Sequence, residues 1–121
     1  ADVRLVVCAE QVPCGAATAR LEAAAGVELR PVSEEHAVTD VLGKVVAGQA
    51  DAGLVYRTDA VGAGDAVAIV EMPEAAGIVN AYPIGVTANA ANPALARAWI
   101  EFVLAEPAQS RLQHDHGFGA P

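Results

Sequence analysis

The sequence has few aromatic side chains and little positive charge. Aromatic residues make up 4% of the 121 residues, and 7 Lys and Arg stand against 15 Asp and Glu, for a formal net charge of -8. This acidic balance argues against nucleic acid or an anionic membrane surface as a partner. The hydrophobic fraction of 54% consists largely of Ala and Val, which favour thin, closely packed α/β layers over a large aromatic core.

Long hydrophobic runs are also absent, so no segment of the sequence is predicted to span a bilayer. The residues that follow Ala1 show no signal-peptide pattern. We therefore expect a soluble chain, from which any leader was removed before this numbering begins. A length of 121 residues suits one domain, or one lobe of a larger protein.

Cysteine is scarce, with Cys8 and Cys14 six positions apart. An oxidising compartment would let the two side chains pair across the loop between them, whereas the cytosol would keep both as thiols. Because the geometry of that loop decides between the two outcomes, the sequence leaves both open.

Apolar runs and helix signals alternate along the chain. Strands or extended segments are predicted at residues 3–8, 27–32, 51–57, 65–72 and 77–87. Helices are predicted at residues 14–25 with a stop at Gly26, from Ser33 to Gly48, from Thr58 to Val61, from Asn92–Pro93 onward, and within 106–117. This alternation predicts an α/β fold with a mostly parallel sheet flanked by helices.

Two of these predicted helices each have one apolar face. The helix expected at Ser33 carries an apolar stripe, and Asp40 is expected to pair with Lys44 on its other side. One face of the helix that begins at Asn92 combines large apolar side chains, namely Leu95, Trp99, Phe102 and Val103.

Ligands of parallel α/β sheets bind beyond the carboxyl ends of the strands, where helix N-termini converge. Three positions are predicted to reach that edge: the Val12–Gly15 loop, the start of the second helix near Val38, and Tyr56 after the third strand. Helix N-termini offer unpaired N–H groups and about half a positive charge each. Together with a tyrosine hydroxyl they can hold a tetrahedral oxyanion without any Lys or Arg.

Several segments resemble the molybdate-binding proteins of ABC transporters, which have the type 2 periplasmic-binding-protein fold. The similar segments are "QVPCGAATARLEAAAG", "EEHAVTDVLGKVVAGQADAGLVYRTDAVG" and the stretch from "NAYPIGV" to "QSRLQHDHGFG". They cover nearly the whole chain. The most specific parts are "GLVYRTDA" and "QSRLQHDHGFG", and the Ala-rich helix is the least specific.

The resemblance implies one lobe of that fold together with three ligand-binding positions. The family's two backbone N–H donors fall on Cys14 and Val38, and its tyrosine hydroxyl falls on Tyr56. Cys14 stands where the family usually has alanine, a change that a backbone donor tolerates. Residues 1–79 would form the ligand-binding α/β lobe, and residues 80–121 the returning strand and C-terminal helices.

The implied function is the solute-binding component of a molybdate or tungstate importer, without catalysis and without a cofactor. The resemblance implies an extracytoplasmic location, periplasmic or at the cell surface, with a lipid anchor on the full-length protein. A membrane permease would be the partner of the closed protein. The family's N-terminal lobe has no match here. If Leu95, Trp99 and Phe102 normally pack on that lobe, in its absence they would be exposed and drive self-association. The alternative is that they pack onto the sheet of this lobe.

Two other functions remain open from the sequence. Cys14 and Arg20 have the Cys-x5-Arg spacing of thiol phosphatases and arsenate reductases, in which a thiolate attacks while loop amides and the arginine hold the oxygens. The segment between them reads as helix, however, and no Asp-Pro general acid is present. The second alternative is an intracellular oxyanion-sensing regulatory module.

No metal site is predicted. His114 and His116 are two positions apart and so do not share a helix face, and the sequence shows no third ligand near them. We expect both histidines to be solvated tail residues.

Overall fold

The computed structural model describes residues 2–121, which form two compact units, one that ends at Asn80 and one that spans Ala81–Pro121. The strands are β1 (Leu5–Cys8), β2 (Ser33–Glu35) and β3 (Ala52–Gly53). The helices are α1 (Pro13–Ala25), α2 (Val38–Val46), α3 (Arg57–Ala63), α4 (Pro93–Leu104) and α5 (Glu106–His116). Two 3₁₀ turns, Gly64–Ala66 and Pro73–Gly77, follow α3.

The first unit is built on a parallel sheet with the strand order β2-β1-β3. Val6 at the centre of β1 lies opposite Ser33 on one side and Gly53 on the other. The side chains of Val6 and Val41 are almost fully buried, and with Cys8 and Ala50 they form the core, to which α2 contributes Val41. The predicted α/β class with a parallel sheet and flanking helices is confirmed.

The prediction for residues 27–48 is wrong in detail. Residues 27–32 form no strand, and Ser33 lies in β2 rather than at the start of a helix. Pro31 has no N–H to donate to a sheet, and pairing with β1 begins beyond it, where Val32 N donates to Leu5 O at 2.8 Å. Lys44 pairs with Glu35 in β2 and not with Asp40, because β2 places that carboxylate beside α2.

The structure also has a shorter third strand than predicted, and it lacks the two later strands in the described residues. The third strand is confined to Ala52–Gly53, and Arg57 already begins α3. Residues 65–72 and 77–87 form no strand within the described part of the chain. An extended segment becomes a strand only when its N–H and C=O groups pair with a neighbouring strand, and neither segment joins the three-stranded sheet.

The second unit consists mainly of α4 and α5. Asn92 Oδ1 accepts a hydrogen bond from Leu95 N at 3.0 Å, and Pro93 follows it, so the predicted helix start is confirmed. Leu95, Trp99 and Phe102 are 65%, 59% and 58% exposed, which agrees with the exposed apolar face expected there. Val103, which was predicted on the same face, is half-buried.

Within residues 2–121, none of the helices combines the length and the apolar composition that crossing a membrane requires.

Candidate functional site

The parallel sheet brings the three predicted site residues to its carboxyl edge. Each strand is followed by a helix, and Cys14, Val38 and Tyr56 lie at or beside the first residue of α1, α2 and α3 respectively. Cys14 and Val38 also pack against the same buried cluster around Val41. Cys14 and Tyr56 line a common cavity of about 510 Å³, whose remaining walls are mainly apolar; Val38 does not line it.

The start of α1 is held by a disulfide. Cys14 bonds to Cys8 at the end of β1, with 5.6 Å between the two Cα atoms, which resolves the alternative that the sequence left open. The chain-entropy model assigns a loop of this length about 2 kcal/mol of stabilisation. The Thr18 hydroxyl donates to Cys14 O at 3.0 Å one turn later. Cys14 is therefore held both through its side chain and through its carbonyl group.

The N-termini of α1 and α2 lack side-chain caps. Val12 and Ala37 occupy the capping positions, and neither has a side chain that could accept from the first N–H groups. In α2 the first donors inside the helix are Asp40 and Val41, both to Ala37 O. The N–H of Val38 precedes them and has no acceptor within the helix. Both helices thus present donors that an external anion can use.

Helix α3 differs, because a side chain accepts a hydrogen bond from the backbone at its N-terminus. Asp59 Oδ2 accepts from Tyr56 N at 3.2 Å, so this terminus already has a carboxylate beside it. The Tyr56 hydroxyl oxygen accepts from Asn80 Nδ2 at 2.6 Å, and Asn80 Oδ1 in turn accepts from Arg20 Nη2 at 3.2 Å. Asn80 and Arg20 were missed from the sequence as members of this site. They lie 24 and 36 positions from Tyr56, and no local pattern connects them.

One acidic side chain near the site is compensated. Glu35 ends β2, three residues before Val38, and its carboxylate accepts from Lys44 Nζ and from the Ser33 hydroxyl. The Lys44 ammonium and the Ser33 hydroxyl hold the pKa of the Glu35 carboxyl below its usual range. The charge that would oppose an anion near the start of α2 therefore has its own cation.

The thiol-phosphatase alternative does not fit this arrangement. Residues 13–25 are helical, so the five residues between Cys14 and Arg20 do not form a loop around an anion. The Cys14 sulfur is bonded to Cys8, and the Arg20 guanidinium contacts Asn80. No group of three or more His, Cys, Asp or Glu side chains that could hold a metal ion occurs among residues 2–121, and His114 and His116 are exposed.

Comparison with known proteins gives one family and several close relatives. Residues 1–119 match the family described as "Bacterial extracellular solute-binding protein". The chain is 51% identical over 119 residues to proteins named "Molybdate-binding protein ModA" from Mycobacterium bovis and Mycobacterium tuberculosis. The match covers 98% of this chain and 45% of each relative, so the chain spans about half their length. No solved structure matches.

The resemblance noted from the motifs is confirmed by this identity, and the family match extends across almost the whole sequence. The chain belongs to the family of bacterial extracellular solute-binding proteins.

Proposed function

We propose that this chain forms about half of the solute-binding component of an ABC importer, and that it binds molybdate or tungstate without catalysing a reaction. The observation that carries the proposal is the pair of uncapped helix starts at one sheet edge, with Tyr56 just before the helix that follows the third strand. The 51% identity to proteins named as molybdate-binding supports the choice of ligand.

The binding chemistry needs no cationic side chain in contact with the anion. The N–H groups of Cys14 and Val38 would donate to oxygens of the tetrahedral anion, aided by the positive end of each helix dipole. The Tyr56 hydroxyl would donate to a third oxygen. Because these donors act at hydrogen-bond distance, they outweigh the screened repulsion from the chain's distant acidic side chains.

The remaining half of the binding protein would close over the anion from the opposite side. The chain corresponds to 45% of the length of its relatives, which supports a second lobe outside this sequence. We place the ligand-binding lobe at residues 1–79 and assign residues 80–121 to packing against the second lobe through Leu95, Trp99 and Phe102.

Sedimentation of the isolated 121-residue chain tests this assignment. The chain is expected to self-associate, and Trp99→Ser is expected to abolish that association. A strictly monomeric chain would contradict the assignment.

The protein would act outside the cytoplasm, in the periplasm or at the cell surface. The family is named for extracellular proteins, and the Cys8–Cys14 disulfide is typical of an oxidising compartment. Both observations weigh against an intracellular sensing module. A lipid on the full-length protein would keep it near the permease, which would recognise the closed, anion-bound form.

Calorimetric titration of the full-length protein that contains this chain with molybdate, tungstate, sulfate and phosphate tests the proposal. Molybdate and tungstate are expected to bind, with sulfate and phosphate much weaker. Tyr56→Phe is expected to weaken molybdate binding about tenfold, since it removes one hydrogen bond to a charged group and little volume. Absence of molybdate binding by the unmodified protein, or an unchanged affinity in Tyr56→Phe, would contradict the proposed role of this site.

A further inference from the structure

A hydrogen-bonded series of three side chains ends at the Tyr56 hydroxyl. Arg20 Nη2 donates to Asn80 Oδ1 at 3.2 Å, and Asn80 Nδ2 donates to Tyr56 Oη at 2.6 Å. Arg20 is exposed on α1, whereas Asn80 and Tyr56 are half-buried. Asn80 is the last residue of the first unit. The series links a helix, the end of this unit and the residue that precedes α3.

The guanidinium fixes the orientation of the amide. Arginine has only donors, so the amide oxygen of Asn80 must face Arg20 and the NH₂ group must face Tyr56. The phenol oxygen therefore accepts in this contact. Its own proton lies in the ring plane in one of two positions, and the NH₂ group excludes the position that points toward Asn80. The contact thus selects the direction in which Tyr56 donates.

We propose that Asn80, oriented by Arg20, is a positioning residue that directs the Tyr56 hydroxyl proton toward the bound oxyanion. This inference rests on the proposed function. A tyrosine without such a neighbour could turn its proton toward the protein, and the anion would then meet a lone pair instead of a donor. Arg20 also adds a positive charge near the site without contacting the ligand, because its guanidinium is hydrogen-bonded to the Asn80 amide.

The test is a double-mutant cycle on molybdate affinity, measured by calorimetry on the longest gene product that carries this chain. Asn80→Ala is expected to weaken binding about fivefold when Tyr56 is present, and less than about twofold in the Tyr56→Phe background. Asn80→Asp keeps the side-chain size but faces Tyr56 with an acceptor, which would draw the phenol proton away. It is expected to weaken binding at least as much as Asn80→Ala.

Arg20→Met supplies a variant on an exposed side chain, for which folding is not at risk. It releases the amide oxygen, and binding is expected to weaken about twofold to threefold with Tyr56 present and not to change in Tyr56→Phe. The thermal midpoint of each variant serves as the folding control. The inference would be overturned if the Asn80 and Arg20 variants lost the same molybdate affinity with Tyr56 as with Tyr56→Phe. It would also be overturned if the Asn80 variants bound molybdate like the unmodified protein while Tyr56→Phe bound it weakly. Failure of the unmodified protein to bind molybdate would instead overturn the proposed function, and the inference with it.

Discussion

Replacing Val38 with proline is expected to weaken molybdate binding at least about tenfold while leaving helix α2 folded. The substitution removes one backbone N–H, the group proposed to donate to the anion at the start of α2. A hydrogen bond to a charged group contributes about 1.5–3 kcal/mol, which corresponds to a loss of roughly ten- to hundredfold in affinity. Few substitutions can delete a main-chain donor so selectively.

The local backbone is suited to this substitution. Val38 is the first residue of α2, a position at which proline is favoured because its N–H would have no acceptor in the helix. The residue before a proline must be extended, and Ala37 has φ -140° and ψ 142°. Proline therefore fits the conformation that the chain already adopts here, and the free energy of unfolding should change little.

Val38→Ala is the matched control. It shortens the same partly buried side chain but keeps the N–H, so it reports the packing part of the effect alone. Calorimetry should find molybdate affinity close to the unmodified value in Val38→Ala and strongly reduced in Val38→Pro. If the two variants bind molybdate equally well, the Val38 N–H is not a donor to the ligand, and the start of α2 is not part of the site.

Local signals in the sequence were enough to predict part of the fold. Gly26 adopts φ 65° at the end of α1, as its place after an Ala-rich helix predicts. The Asn92–Pro93 pair starts α4 with the expected cap. In each case the deciding interaction lies within one helical turn. Among the three site residues, only Cys14 lies at a helix start that a local signal predicted. The second helix was predicted to begin at Ser33, and Tyr56 was predicted to end a strand.

Contacts between distant residues were not predictable in the same way. Ser33 has the chemistry of a helix cap, but pairing with β1 draws it into β2, and the helix starts five residues later at Val38. Lys44 could have paired with Asp40 one turn away, yet the β2 carboxylate of Glu35 takes that place. The contact between Asn80 and Tyr56 depends on the path of residues 64–80, which brings Asn80 back to the start of α3. Each outcome depends on tertiary pairing, which overrides the local preference.

Substituting Gly15 with alanine is expected to destabilise the first unit by at least about 3 kcal/mol, through steric overlap with the backbone. Gly15 is buried in the first turn of α1. A Cβ atom there would lie 1.9 Å from Ala9 O and 2.8 Å from Glu10 N. Both atoms belong to the main chain between β1 and α1, where no flexible side chain can yield. Helix propensity alone predicts the opposite sign, a gain of about 1 kcal/mol, so the two effects are easily separated.

Gly43→Ala is the matched control for this substitution. Gly43 lies inside α2, is exposed, and has open space where a Cβ would be placed. Alanine there should raise the free energy of unfolding by about 0.5–1 kcal/mol through helix propensity. Urea unfolding of both variants provides the comparison. Were Gly15→Ala also to stabilise the protein, the loop from Ala9 would not press against α1 as described, and the disulfide-linked placement of the Cys14 N–H would be wrong as well. Opposite signs for the two substitutions instead indicate that the close approach of this loop fixes where α1 begins, and with it the position of the proposed donor.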